Sequence, residues 1–76
     1  MFNNLLAEMA RNKITKQELA VYLGVSEKTI RNYINGSTKI SWLDTLRIKN
    51  NYFPSLSLEY LFESDAEAKT KEKLKN

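Results

Sequence analysis

Cysteine and histidine are both missing from this 76-residue chain. Without cysteine no disulfide and no thiolate metal site can staple the fold, and a reducing compartment is compatible with the sequence. Without histidine the commonest general base and the commonest metal ligand are gone, which leaves an enzyme only carboxylate chemistry. Asp44, Glu59 and Glu63 are too dispersed along the chain to be read as a catalytic or metal cluster, and no cofactor is expected. One proline and two glycines leave long helices uninterrupted and give tight β-turns few sites, so the fold class expected is all-α. A basic leader and a long apolar run are lacking too: Met1-Phe2-Asn3-Asn4 resembles neither a signal peptide nor a membrane span, so no membrane partner and a cytoplasmic location are expected.

What is present suits one small core. With 42% hydrophobic and 28% charged residues the composition is that of a globular domain rather than a disordered segment. The length allows one such core and not two. The net charge of +3 is weak evidence of a partner, but its distribution is informative. Between Arg11 and Lys39 lie Arg11, Lys13, Lys16, Lys28, Arg31 and Lys39, opposed only by Glu18 and Glu27.

Leu5, Leu6 and Met9 recur at helical spacing before Asn12, predicting a first helix of roughly ten residues. Thr15-Lys16-Gln17-Glu18 reads as a capping box, in which the Thr15 hydroxyl accepts from the Glu18 amide and the Glu18 carboxylate returns to the Thr15 amide. The second helix so started ends at Gly24, a natural left-handed stop. Ser26 then caps a third helix running to Asn35-Gly36, with Val25 packing as a staple across the turn. Ser41 caps a fourth, with Trp42, Leu46, Ile48 and Tyr52 as its apolar surface, until Pro54 stops it; a short fifth covers Ser57 to Phe62. Trp42 is expected to pack, and Tyr33 and Tyr60 read as core with hydroxyls at a wet edge. Residues 1–63 form the expected domain, and 64–76 a charged tail, frayed or helical, in which only Leu74 is a large apolar residue.

Gln17 to Tyr33 carry the spacing of a helix-turn-helix. Ala20 sits where two helices cross closely, Gly24 makes the turn, and Leu19, Leu23, Val25, Ile30 and Tyr33 supply the apolar interface. Ile30, Tyr33 and Ile34 share one side of the third helix, leaving Lys28, Arg31, Asn32 and Asn35 opposite. A solvated amphipathic helix would show such a face, and so would a helix built for the major groove, where Lys donates to guanine and Asn bonds adenine. Glu27 can accept from cytosine or simply favour the helix dipole. The joint spacing of capping box, Ala20, Gly24, Ser26, Ile30 and Tyr33 favours duplex DNA.

Thr15-Lys16-Gln17-Glu18-Leu19-Ala20, Leu23-Gly24-Val25-Ser26, Ile30, Asn35-Gly36 and Ser57 to Phe62 resemble the phage repressor/Cro-type helix-turn-helix family, and Leu6 to Asn12, Ser26 to Asn32 and Phe53-Pro54 to Phe62 resemble in particular small Cro-like phage proteins of Gram-positive bacteria. The resemblance covers residues from about 2 to 63. It implies a compact five-helix domain whose third helix enters the major groove, often as a dimer on two half-sites, inside a bacterial host. It places Glu27, Lys28 and Asn32 at base-reading positions, with Thr29 and Arg31 adjoining. Lys16, Asn35, Thr38 and Lys39 fall where the family meets phosphate, and Ser26 is grouped with them. Two features depart from the pattern: Lys16 stands where the family frequently has Gln, and the connection between the fourth and fifth helices is about two residues longer.

The function implied is a transcriptional regulator that occupies an operator, with no small-molecule substrate. The alternative is a protein-interaction module on the same scaffold, such as an antirepressor or a modulator of a repressor.

Overall fold

A computed structural model describes residues 1–64 of the chain, and the tail expected over 64–76 lies, apart from Ser64, outside the described residues. Five helices follow one another, α1 (Asn3–Arg11), α2 (Lys16–Leu23), α3 (Glu27–Asn35), α4 (Trp42–Tyr52) and α5 (Leu58–Leu61), and no strand occurs among the described residues. Four of the five helix starts are made in one way. The hydroxyls of Thr15, Ser26, Ser41 and Ser57 accept from the amides of Glu18, Thr29, Asp44 and Tyr60, each three residues on. Each bond satisfies an amide that the first helical turn leaves without a partner. The return bond expected from the Glu18 carboxylate to the Thr15 amide is not formed, and Glu18 is exposed.

Leu5, Leu19, Ile30, Ile48 and Leu61, one from each helix, are the largest fully buried side chains, so all five elements meet in a single core. Met9, Ala20, Ile34 and Phe53 complete it. The ends of the described chain come together around α1 and α5. Phe2 and Phe62 stack edge to face with centroids 5.3 Å apart, and the Asn4 side-chain amide donates to the Tyr60 carbonyl at 2.8 Å. The Phe2 amide in turn donates to the carbonyl of Ile34 at 2.8 Å, tying this closure to the last turn of α3.

Two expectations are corrected here. Trp42 is 68% exposed and its neighbour Leu43 also faces solvent, so neither packs into the core. Side chains on a helix lean toward its N-terminus, and at the opening turn that direction carries them past the end of the packed surface. Tyr60 is not a core residue with its hydroxyl in water. Its ring lies at the surface, and its hydroxyl donates inward to Glu8, itself buried.

Candidate nucleic-acid interface

The turn between α2 and α3 follows from residue chemistry. Gly24 closes α2 at φ +73°, a left-handed conformation that a Cβ makes costly, and the Val25 amide donates back to the Ala20 carbonyl at 3.0 Å. Ser26 at once caps α3, its Oγ accepting from the Thr29 amide at 3.1 Å. Ala20 is buried, as a close crossing requires, and Leu19 and Ile30 are buried with it, while Leu23, Val25 and Tyr33 pack partly buried around them. The interface expected from spacing is therefore the one observed, and it fixes the angle at which α3 is presented.

Held by Ile30 and Ile34, α3 turns its other side to solvent. Lys28, Arg31 and Asn35 are exposed and Asn32 is half-buried. Exposed Glu27 opens the helix, where its carboxylate favours the positive end of the dipole. Its Oε1 also lies 3.4 Å from an Arg31 terminal nitrogen. The Thr29 hydroxyl is engaged with that of Ser26 at 2.9 Å, so both belong to the cap as well as to the edge of this face.

Beyond the helix, Gly36 turns the chain at φ +88°. Asn35 Oδ1 accepts from the Ser37 amide at 2.8 Å, and the Asn32 carbonyl accepts from the Thr38 amide at 3.2 Å. These bonds shape the loop that leaves Thr38 and Lys39 exposed. Lys16, half-buried, is the first residue of α2. It lines a cleft of about 400 Å³ together with Gln17, at the same end of α2, and Glu27 of α3. Lys16 and Glu27 thus border one cleft between the helices, while Asn35 and Lys39 line a separate groove at the end of α3.

Residues 5–41 match the helix-turn-helix family model. The span runs from within α1 through α3 to Ser41, the cap of α4. No curated protein and no solved structure matches the chain. The helix-turn-helix is a DNA-binding element of regulatory proteins, in which the second helix of the pair is the one presented to the duplex. Among the described residues no helix is long and apolar enough to cross a membrane, and no three acidic side chains gather as a metal site would need.

Two features outside the helix-turn-helix escaped the sequence reading. One is the inward-facing Glu8, whose carboxylate takes the Tyr60 hydroxyl and the Arg11 guanidinium, each at 2.7 Å. Its spacing from Leu5, three residues along the buried stripe of α1, was the available signal. The other is an apolar groove of about 730 Å³ bordered by Met1, Phe2, Ile34, Trp42, Leu58 and Phe62, with Lys39 and Glu59 at its edge.

Proposed function

We propose that this chain is a sequence-specific, duplex-DNA-binding transcriptional regulator of the phage repressor/Cro type, with α3 entering the major groove of an operator. One observation carries the reading. α3 is anchored by Ile30 and Ile34, while its free side presents Lys28, Arg31, Asn32 and Asn35 and no large apolar residue. A helix held in this manner offers donors and acceptors to base edges at a fixed angle. In this reading Glu27, Lys28 and Asn32 read bases, with Thr29 and Arg31 adjoining. Lys16, Ser26, Asn35, Thr38 and Lys39 meet phosphate. Residues 1–63 form the binding domain and 64–76 a charged tail. The protein acts in the cytoplasm of a bacterial host, represses by excluding polymerase, and pairs as a homodimer on two half-sites.

A second reading, a protein-interaction module that modulates another repressor, draws on exposed Met1 and Trp42 at the apolar groove. Selection of bound sites from random duplex DNA, followed by salt titration of the winner, separates the two. A recovered motif whose affinity falls by about 0.9 log unit per phosphate contact per decade of salt supports the regulator. Absence of binding to any duplex at low salt overturns it.

A further inference from the structure

We propose that Glu27 is a positioning residue for Arg31: it draws the guanidinium along the surface of α3 and keeps it from serving as an unselective phosphate anchor. The proposal rests on the DNA-binding reading above and concerns how that surface tells one duplex from another.

The geometry sets Arg31 apart. Of the cations assigned to the interface, Lys16, Lys28, Arg31 and Lys39, only Arg31 stands in an ion pair among the described residues. Its terminal nitrogen lies 3.4 Å from Glu27 Oε1, one helical turn back, and both side chains are about half exposed. Acid before base at this spacing is the favourable order along a helix, and the dipole at the start of α3 independently holds a carboxylate there. The pair is thus available before DNA arrives.

An unpaired guanidinium facing the duplex displaces a counterion from any phosphate it meets, whatever the sequence. Beside a carboxylate its charge is locally cancelled, and that indiscriminate contribution shrinks. Specificity is a difference between two affinities, so lowering the weaker one raises it. A carboxylate has two acceptor oxygens, and with Oε1 turned to Arg31, Oε2 can still take a cytosine amino group. Glu27 therefore restrains Arg31 on the wrong duplex without giving up a reading role on the right one.

The test compares the wild type, Glu27→Gln, Arg31→Ala and the double variant on the selected site and on random duplex, each across a salt series. Glu27→Gln is expected to bind random duplex about 2- to 10-fold more tightly at low salt, with the salt slope steeper by up to about 0.9. In the Arg31→Ala background the same change is expected to leave random-duplex affinity and its salt slope nearly unchanged. Glu27→Asp, which keeps the charge at the helix start but shortens the reach, should show part of the gain, and thermal unfolding checks that every variant is folded. An equal gain in the Arg31→Ala background overturns the proposal, because Glu27 then acts as a bare charge. So does a lost preference at one base with an unchanged slope. Failure of the wild type to bind any duplex overturns instead the DNA-binding reading itself.

Discussion

The hydroxyl of Tyr60 donates to Glu8 at 2.7 Å, joining α5 to a buried carboxylate 52 positions earlier in the chain. Arg11 approaches the same oxygen, so Glu8 is met from its own helix and from across the fold. A buried carboxylate short of a partner is costly, and these two contacts supply its partners.

Tyr60→Phe removes one of the two. Glu8 is then left short by one charge-assisted hydrogen bond, so a lower midpoint is expected in chemical denaturation. The phenol titrates above its ordinary 10.0, first because Glu8 accepts its hydrogen bond, then through desolvation and the negative charge of Glu8. A raised value means that the folded state favours the protonated phenol. The stabilisation is complete below about pH 10 and fades as pH climbs through the higher folded value. The thermal midpoints of the wild type and Tyr60→Phe should therefore converge above that pH; a constant gap would detach the phenol from the effect.

Gly24 is expected to resist substitution for backbone reasons alone. A Cβ built there meets nothing within 4 Å, yet φ is +73°. Gly24→Ala should cost about 1 kcal/mol and Gly24→Val as much as about 3 kcal/mol, while Gly24→Asn, which tolerates this region, should cost less than either. Urea denaturation of the three variants checks the order, and a crowding explanation fails if Asn is milder than Ala.

Asn32→Ala and Lys39→Ala should impair DNA binding differently. Loss of an amide at a base edge flattens preference at one position by about 1–3 kcal/mol and leaves the salt slope nearly unchanged. Loss of a loop lysine weakens all duplexes alike and lowers the slope by about one contact. Site selection and salt titration on both variants decide the matter, and a uniform loss from Asn32→Ala with intact preference refutes its reading role.

Trp42→Ala should change the stability of the monomer by no more than about 0.5 kcal/mol, because the ring is largely in solvent. Trp42 is the chain's only tryptophan, so its fluorescence reports directly on this surface. Ready quenching in dilute solution is expected, together with protection as concentration rises if a second copy covers the groove. A ring resistant to quenching at every dilution contradicts the exposed placement.

The helix boundaries were legible because their causes are local. Thr15, Ser26, Ser41 and Ser57 each act on an amide three residues away, and Gly24 and Gly36 stop helices through their own φ. The same holds for the helix-turn-helix, where Ala20, Gly24 and Ile30 lie within one short stretch. Trp42 was misread because periodicity says which residues share a side but not where along the helix a neighbour ends. Glu8 was missed because its justification, Tyr60, is distant in sequence. On the candidate site, the exposed side of α3 could be read from the alternation of Ile30, Tyr33 and Ile34 with Lys28, Arg31 and Asn32. The contact between Glu27 and Arg31 needed rotamers.

The closure that holds the Asn4 side chain to the Tyr60 carbonyl, 56 residues apart, has a kinetic consequence. The turn at Gly24 joins neighbouring helices at little loop entropy, whereas the meeting of α1 and α5 must wait until nearly the whole described chain has been gathered in. Variants in the turn should therefore slow refolding. Variants in the closure, Asn4→Ala among them, should leave refolding almost untouched and hasten unfolding, which the two arms of a chevron plot resolve. If so, the lifetime of the folded state is set at the seam between α1 and α5, whereas the speed of its formation is set at the turn between α2 and α3.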